Sequence, residues 1–456
     1  MEDFFENELA KKFEEMVENH EEYYFDTEEL EDIIIYYLEL GDISYAEMAV
    51  NYGLKLHPNS LEIKTKQLEV LLEQEDYYVA KKLIGELAES CTESTDYLVC
   101  CAKYYSNLGN PRRAIEYCEK ALKQEEEQNF LHNFIADEFV NLEDPFKALK
   151  HYKMALSIDP ADEYAFENCV FCFSELKKYD EAIEFMNRYL DRFPYSETAW
   201  YEYGQFHFNR KNYEDAIKAF DYLLAINSRA VNVYGLKAGC LEALGRHREA
   251  ILVYEEVLEI EFTKAHTYYR IGLCYRTLKM PVLALSAFQK SLIEDPQFYQ
   301  AMMEQSYLYE ELGAMKEALH FAREATALND NNLDYQKRMA YLYIDAGKYE
   351  ESLECLKKLV QNEPGRFYNW YAYVEVLMLV GEHEEAVTVL NDAVKVHHRA
   401  ELFYQRSNCW MQLKNAAHAQ NDLKTALELD ESIVQDMILK YPGMKDELRK
   451  VKSGKK

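Results

Sequence analysis

Asn212-Tyr213-Glu214-Asp215-Ala216-Ile217-Lys218-Ala219-Phe220-Asp221-Tyr222-Leu223 is the stretch that decides the fold. A small residue, Ala216, lies five positions after a turn; Phe220 follows it by four and Leu223 by three more. That spacing gathers all three on one face of a helix. The same arrangement repeats outward in both directions. The small position recurs at Ala46, Ala80, Ala114, Ala148, Ala182, Ala216, Ala250, Ala284, Ala318, Ser352 and Ala386, each 34 residues from the last, and again at Ala419, 33 residues on. A period held over that many steps marks a stacked array of one supersecondary unit.

The flanks of each small residue give the unit its shape. Five positions earlier stands a turn, as in Leu40-Gly41, Leu108-Gly109, Leu244-Gly245, Leu312-Gly313, Ala346-Gly347 and Val380-Gly381. Glycine takes positive φ there and closes a first helix. Glu143, Lys177 and Lys279 stand in its place in other repeats, so the turn does not always demand glycine. Pro58, Pro160, Pro194, Pro296 and Pro364 end the second helix and lead into the next unit. Each unit is thus two antiparallel helices, and no unit buries its apolar face without a neighbour. The fold class is all-α: an α-solenoid of about twelve helix-turn-helix units over residues 27–433, with an acidic capping helix in 1–26 and a capping helix with a basic tail in 434–456.

With Trp200-Tyr-Glu-Tyr-Gly204, Asn212-Tyr-Glu-Asp-Ala216-Ile-Lys-Ala-Phe220 and Tyr268-Tyr-Arg-Ile-Gly272-Leu-Cys-Tyr275 in register, the chain resembles the tetratricopeptide repeat (TPR) family. The resemblance implies a right-handed superhelix whose concave groove is lined by the first helix of each unit, and protein or peptide ligands. A clamp known in this family for a partner's terminal carboxylate uses Lys, Asn, Asn, Lys and Arg over three units. No window here presents it; Lys103, Asn133 and Asn168 are isolated, and Glu167 and Glu202 beside Asn168 are acidic.

Composition narrows the partners. The 456 residues carry 51 Lys and Arg against 82 Asp and Glu, a formal charge of -31, which argues against a nucleic-acid backbone as ligand. A basic cluster, Lys445, Arg449, Lys450, Lys452, Lys455 and Lys456, stands at the C-terminal end. No stretch reaches eighteen apolar residues, so no integral membrane segment is expected. The opening residues lack a basic and then apolar targeting pattern, and ten Cys do not form a disulfide scaffold, so a cytoplasmic location is expected.

Carrying the family's groove positions onto this chain gives a mixed, partly acidic first third and an aromatic-rich remainder. Phe171, Tyr201, Phe208, Tyr269, Tyr307, Tyr341, Tyr368 and Tyr371 form the candidate ligand groove, with Arg270, Arg276, Lys337 and Arg338 available to pair with an acidic residue of the ligand. A second reading stands beside it. The chain is rich in Tyr on both helices, as at Tyr254 and Tyr299, and the same residues also suit gaps between units.

Chemistry-bearing motifs do not assemble. Cys169-x-x-Cys172 lacks two further ligands at zinc-site spacing and a βαβ context, and both thiols suit packing within one helix. His397-His398 reads as a surface loop. Metallohydrolase, nucleophile-elbow and phosphate-loop motifs are missing, so no enzyme activity, cofactor or metal is expected. The function expected is a scaffold or adaptor that binds a protein or an extended peptide. The alternative is a regulator that sequesters a short peptide in a signalling or secretion pathway. Oligomeric state is open, since Phe4, Phe5, Leu9 and Phe13 on the first helix suit either a cap or a docking arm.

Overall fold

The computed structural model describes residues 8–124 and 128–453. Phe4, Phe5, Lys455 and Lys456 lie outside the described residues. Every regular element among the described residues is a helix, all α save one 3-10 turn at Pro442–Met444. From Thr27–Glu39 paired with Ile43–Leu56, through to Ala400–Gln412 paired with Ala416–Leu429, the chain runs as successive helix-turn-helix hairpins. Two compact units divide it, Met1–Ser228 and Arg229–Lys456.

Why the hairpin repeats is visible at the small position. Ala46, Ala80, Ala114, Ala148, Ala182, Ala216, Ala250, Ala284, Ala318, Ser352, Ala386 and Ala419 are all fully buried. Each donates its backbone N–H to the carbonyl four residues back, the first bond of the second helix, as in Ala148 to Asp144 and Ala216 to Asn212. A larger side chain there would push the two helices apart. Ser352 fits because its hydroxyl donates to the Ala340 carbonyl at 2.9 Å on the facing helix. One turn after the small residue, on the same face, large ones fill the core: Tyr152, Phe220 and Phe288 are at most 1% exposed.

The turn does without glycine in half of the hairpins, yet its backbone is the same in all of them. Its residue is left-handed in every hairpin, with φ of 56 to 62° at Glu75, Glu143, Lys177, Lys211, Lys279 and Lys414 and 68 to 88° at the six glycines. The next N–H reaches back to a carbonyl five residues earlier, as in Asp144 to Phe139, Lys178 to Phe173 and Asn212 to His207. That closure is a Schellman motif, which needs positive φ whatever the side chain. Glu and Lys are tolerated because the strain is only about 1–2 kcal/mol. The position faces open space: a Cβ added to Gly109 or Gly245 would meet nothing.

Both ends carry extra helices. In the first unit, Glu8–Asn19 buries Ala10, Phe13 and Met16. Phe13 packs its ring 6.1 Å from Phe25 and 6.2 Å from Tyr52, and Tyr37 donates to Glu14 at 3.1 Å. In the second unit the C-terminal segment forms two helices, Glu431–Lys440 and Lys445–Ser453, where one had been expected, because Pro442 breaks the run. Three residues of the basic cluster are paired: Arg449 meets Asp446, Lys450 meets Glu447, and Lys452 meets Glu431.

Candidate protein-binding surface

The candidate residues fall into the two units and are taken separately. In the first unit, Phe171 stands on the first helix Glu163–Glu175 and is 46% exposed, unlike its buried neighbours Val170 and Cys172. It lines an open concavity of about 390 Å³ with Ser174, Tyr179, Glu202, Gln205 and Arg210. Arg210 caps the aromatic wall, its guanidinium 3.8 Å from the Tyr179 ring centre. Tyr201, on Glu197–Asn209, accepts a hydrogen bond from Gln205 Nε2 at 2.9 Å, and Phe208 meets Tyr213 edge-on at 5.8 Å. Two carboxylates share this face without an ion pair among the described residues. Burial raises the pKa of Glu167, helped by Glu163, and of Glu202, helped by Glu167. Two carboxylates and one cation, Arg210, thus lie near Phe171, and burial disfavours the carboxylates' charged form.

In the second unit the predicted cations are committed. Arg270 donates to Glu242 at 2.7 Å and to the Tyr254 hydroxyl at 3.1 Å. Arg276 is paired with Glu304. Arg338 meets Glu310 at 2.5 Å and lies 4.2 Å from the centre of the Tyr307 ring. Each of these pairs ties the first helix of one hairpin to that of the next. Lys337 alone of the four makes no ion pair among the described residues.

The tyrosines of this unit divide by burial. Tyr269 is packed 5.3 Å from Phe298 and 5.9 Å from Phe288, inside the seam between hairpins. Tyr341 is 40% and Tyr368 70% exposed. Tyr371 is covered by the helix Glu431–Lys440: its hydroxyl lies 3.7 Å from Met437 Sδ and accepts from Lys440 Nζ at 3.4 Å. Glu375, one turn along, is held by Lys440 and by the Tyr441 hydroxyl at 2.9 Å. Sequence alone gave no sign of this covering, because the partners lie some 65 residues apart.

The remaining chemistry-bearing residues are structural. Cys169 and Cys172 are fully buried free thiols; burial raises both, Cys172 to about 11, which keeps them protonated and unreactive. His397 sits 3.0 Å from the Pro364 carbonyl, a role that His57 repeats with Phe25 at 2.9 Å. No group of three His, Cys, Asp or Glu among the described residues converges as a metal site. No described helix is long and apolar enough to cross a membrane.

Comparison with known proteins accords with the hairpin geometry. Residues 102–128 and 337–408 match family profiles described as tetratricopeptide repeat. Those two segments are tetratricopeptide repeats. A third profile, described as anaphase-promoting complex, cyclosome, subunit 3, matches residues 175–257 of the chain. It is 25% identical over 291 residues to the TPR repeat-containing protein YpiA of Bacillus subtilis, a match covering 61% of this chain and 66% of that one. It is 22% identical over 209 residues to human DnaJ homolog subfamily C member 7, covering 46% of this chain and 38% of that one. The matched stretches thus span less than two thirds of these relatives. Among solved structures it is similar to the anaphase-promoting-complex hetero-tetramer Cut9-Hcn1, at 15% identity over 92% of each chain and a TM-score of 0.34.

Proposed function

We propose that this chain is a protein-protein interaction scaffold, built of twelve tetratricopeptide units over residues 27–433, that holds a protein or extended peptide along the first-helix faces of a right-handed superhelix. The acidic segment 1–26 and the segment 434–456 act as caps in this reading, and the chain works in the cytoplasm. The observation that carries the proposal is the open, aromatic concavity that the half-exposed ring of Phe171 lines. Large aromatics held at the mouth of a pocket are the commonest anchors of protein interfaces. With Glu167 and Glu202 unpaired nearby, the favoured partner segment combines an apolar side chain with a Lys or Arg. This replaces the acidic ligand expected from Arg270, Arg276 and Arg338, whose charges are already taken.

The test is a triple variant at the exposed aromatics, Phe171→Ala with Tyr341→Ala and Tyr368→Ala, assayed for partner capture and for melting. Capture should fall at least tenfold with the melting temperature held. Capture unchanged, or lost only together with folding, would reject the proposal.

A further inference from the structure

A second concavity in the first unit lies on the opposite kind of surface. It is walled by two successive second helices, Pro145–Ile158 and Tyr179–Arg192, and holds about 390 Å³. Its floor is aromatic and fixed: Phe185 stacks 5.5 Å from Phe166, and Tyr189 stacks 4.0 Å from Phe166 and 4.8 Å from Phe193. Its rim is cationic, with Lys153, Arg188 and Arg192, and no carboxylate lines it. Arg188 leans on Glu184 of its own helix at 3.5 Å. Lys153 and Arg192 meet no carboxylate among the described residues; they lie over the rings of Phe173 and Phe193, at 4.6 and 5.3 Å.

That combination is out of keeping with a chain of formal charge -31. The concavity beside Phe171 sets Glu202 against Arg210, and the comparable one in the second unit sets Glu255 and Glu259 against Lys264 and Lys290, so only the one between Pro145–Ile158 and Tyr179–Arg192 has cations without a carboxylate among these three. Cations at the ends of these helices gain a little from the helix dipole. That gain does not account for an open apolar floor between them. The volume lies near the bottom of the range for small-molecule sites, roughly 300–1,000 Å³, and suits one large side chain rather than a whole cofactor.

We infer that this outer concavity is a second docking site, one that takes an acidic peptide segment bearing a single aromatic anchor. The anchor enters between Phe185, Tyr189 and Phe193, and flanking carboxylates reach Lys153, Arg188 and Arg192. The two faces of the first unit then select opposite charges, so one partner segment does not serve both.

Fluorescence anisotropy on the full chain tests this, with three labelled probes: Asp-Glu-Trp-Glu-Asp, Lys-Lys-Trp-Lys-Lys, and Asp-Glu-Ala-Glu-Asp. The first should saturate in the micromolar range, and the other two should bind at least tenfold more weakly. Charge reversal by Arg192→Glu with Lys153→Glu, both on exposed positions, should weaken the first probe at least tenfold while leaving the melting temperature in place. Phe171→Ala should leave it unchanged. Absence of saturable binding would overturn the inference. So would equal binding of the alanine probe, displacement by millimolar inorganic phosphate, or indifference to the charge reversal.

Discussion

The first-helix face around residues 163–210 and the one around residues 242–338 are built to different plans. Around residues 163–210 the face is open, with Phe171 at the mouth of a concavity and Glu167 and Glu202 unpaired. Around residues 242–338 it is laced. Arg270 to Glu242, Arg276 to Glu304 and Arg338 to Glu310 each bridge 28 residues and join neighbouring hairpins. Stacked arrays gain stability from each unit and from each interface between neighbours. The laced face spends its charges on those interfaces, whereas the open face keeps its aromatic and its carboxylates available. A residue in a groove register position is therefore not by that fact a ligand residue.

The largest effect should come from cutting the lacing. Arg338→Met leaves Glu310 without its cation, and urea denaturation should show a loss of about 2–3 kcal/mol, short of the fully buried case because Glu310 is 32% exposed. Arg338→Met with Glu310→Leu should recover most of it. A variant as stable as the parent would erase the distinction between the faces.

Next come two glycines that the units share. A Cβ on Gly204 would sit 2.4 Å from the Phe220 ring, and one on Gly272 at 2.4 Å from Phe288. Both rings are fully buried, so Gly204→Ala and Gly272→Ala should each cost about 1–3 kcal/mol. Gly235→Ala, where the added carbon meets nothing, should instead stabilise its helix by up to about 1 kcal/mol. Equal costs at Gly204 and Gly272 are expected, because the hairpin core is the same in both units even where the faces differ.

A smaller, pH-dependent effect belongs to the first unit. His132 and His151 hold their Nδ1 atoms 3.2 Å apart. Burial lowers both, and the His132 charge and Lys150 help bring His151 to about 4. Folding thus disfavours their protonation. Their contribution is whole above the unfolded pKa near 6.5 and fades as pH falls toward 4. Thermal unfolding from pH 7 to 5 should show a destabilisation of about 1–2 kcal/mol that shrinks in His151→Gln. A flat profile, or one the substitution leaves alone, would reject it.

The smallest change is a gain. Lys211→Gly and Lys177→Gly relieve positive φ of 62 and 57° at exposed turns, and each should stabilise by about 0.5–1 kcal/mol once the added freedom of the unfolded chain is counted.

These cases also separate what the sequence made legible from what it hid. The small positions were plain because every one sits at the same first hydrogen bond of a second helix, where only Ala or Ser fits. That glycine is dispensable at the turn was legible, because the strain is small enough for Lys177 or Glu143 to bear; that every turn nonetheless takes positive φ was not, since residue type understates the backbone demand. Register alone put Phe171 on the first-helix face, where its ring is 46% exposed. The pairing of Arg270, Arg276 and Arg338 was not, since the chain has 82 acidic residues and no local spacing singles out Glu242, Glu304 or Glu310. The covering of Tyr371 by Lys440 and Met437, and the gathering of Lys153 with Arg192, arise only when distant helices meet.

Site-directed photo-crosslinking tests the open face most directly. A benzoylphenylalanine placed at Phe171 and, as a comparison, at the 58% exposed Tyr222 of a second helix would be irradiated in extract of the source cell. A discrete protein adduct from position 171 and none of the same mass from 222 is the predicted result. Identical adducts from both positions, or none from 171, would contradict it.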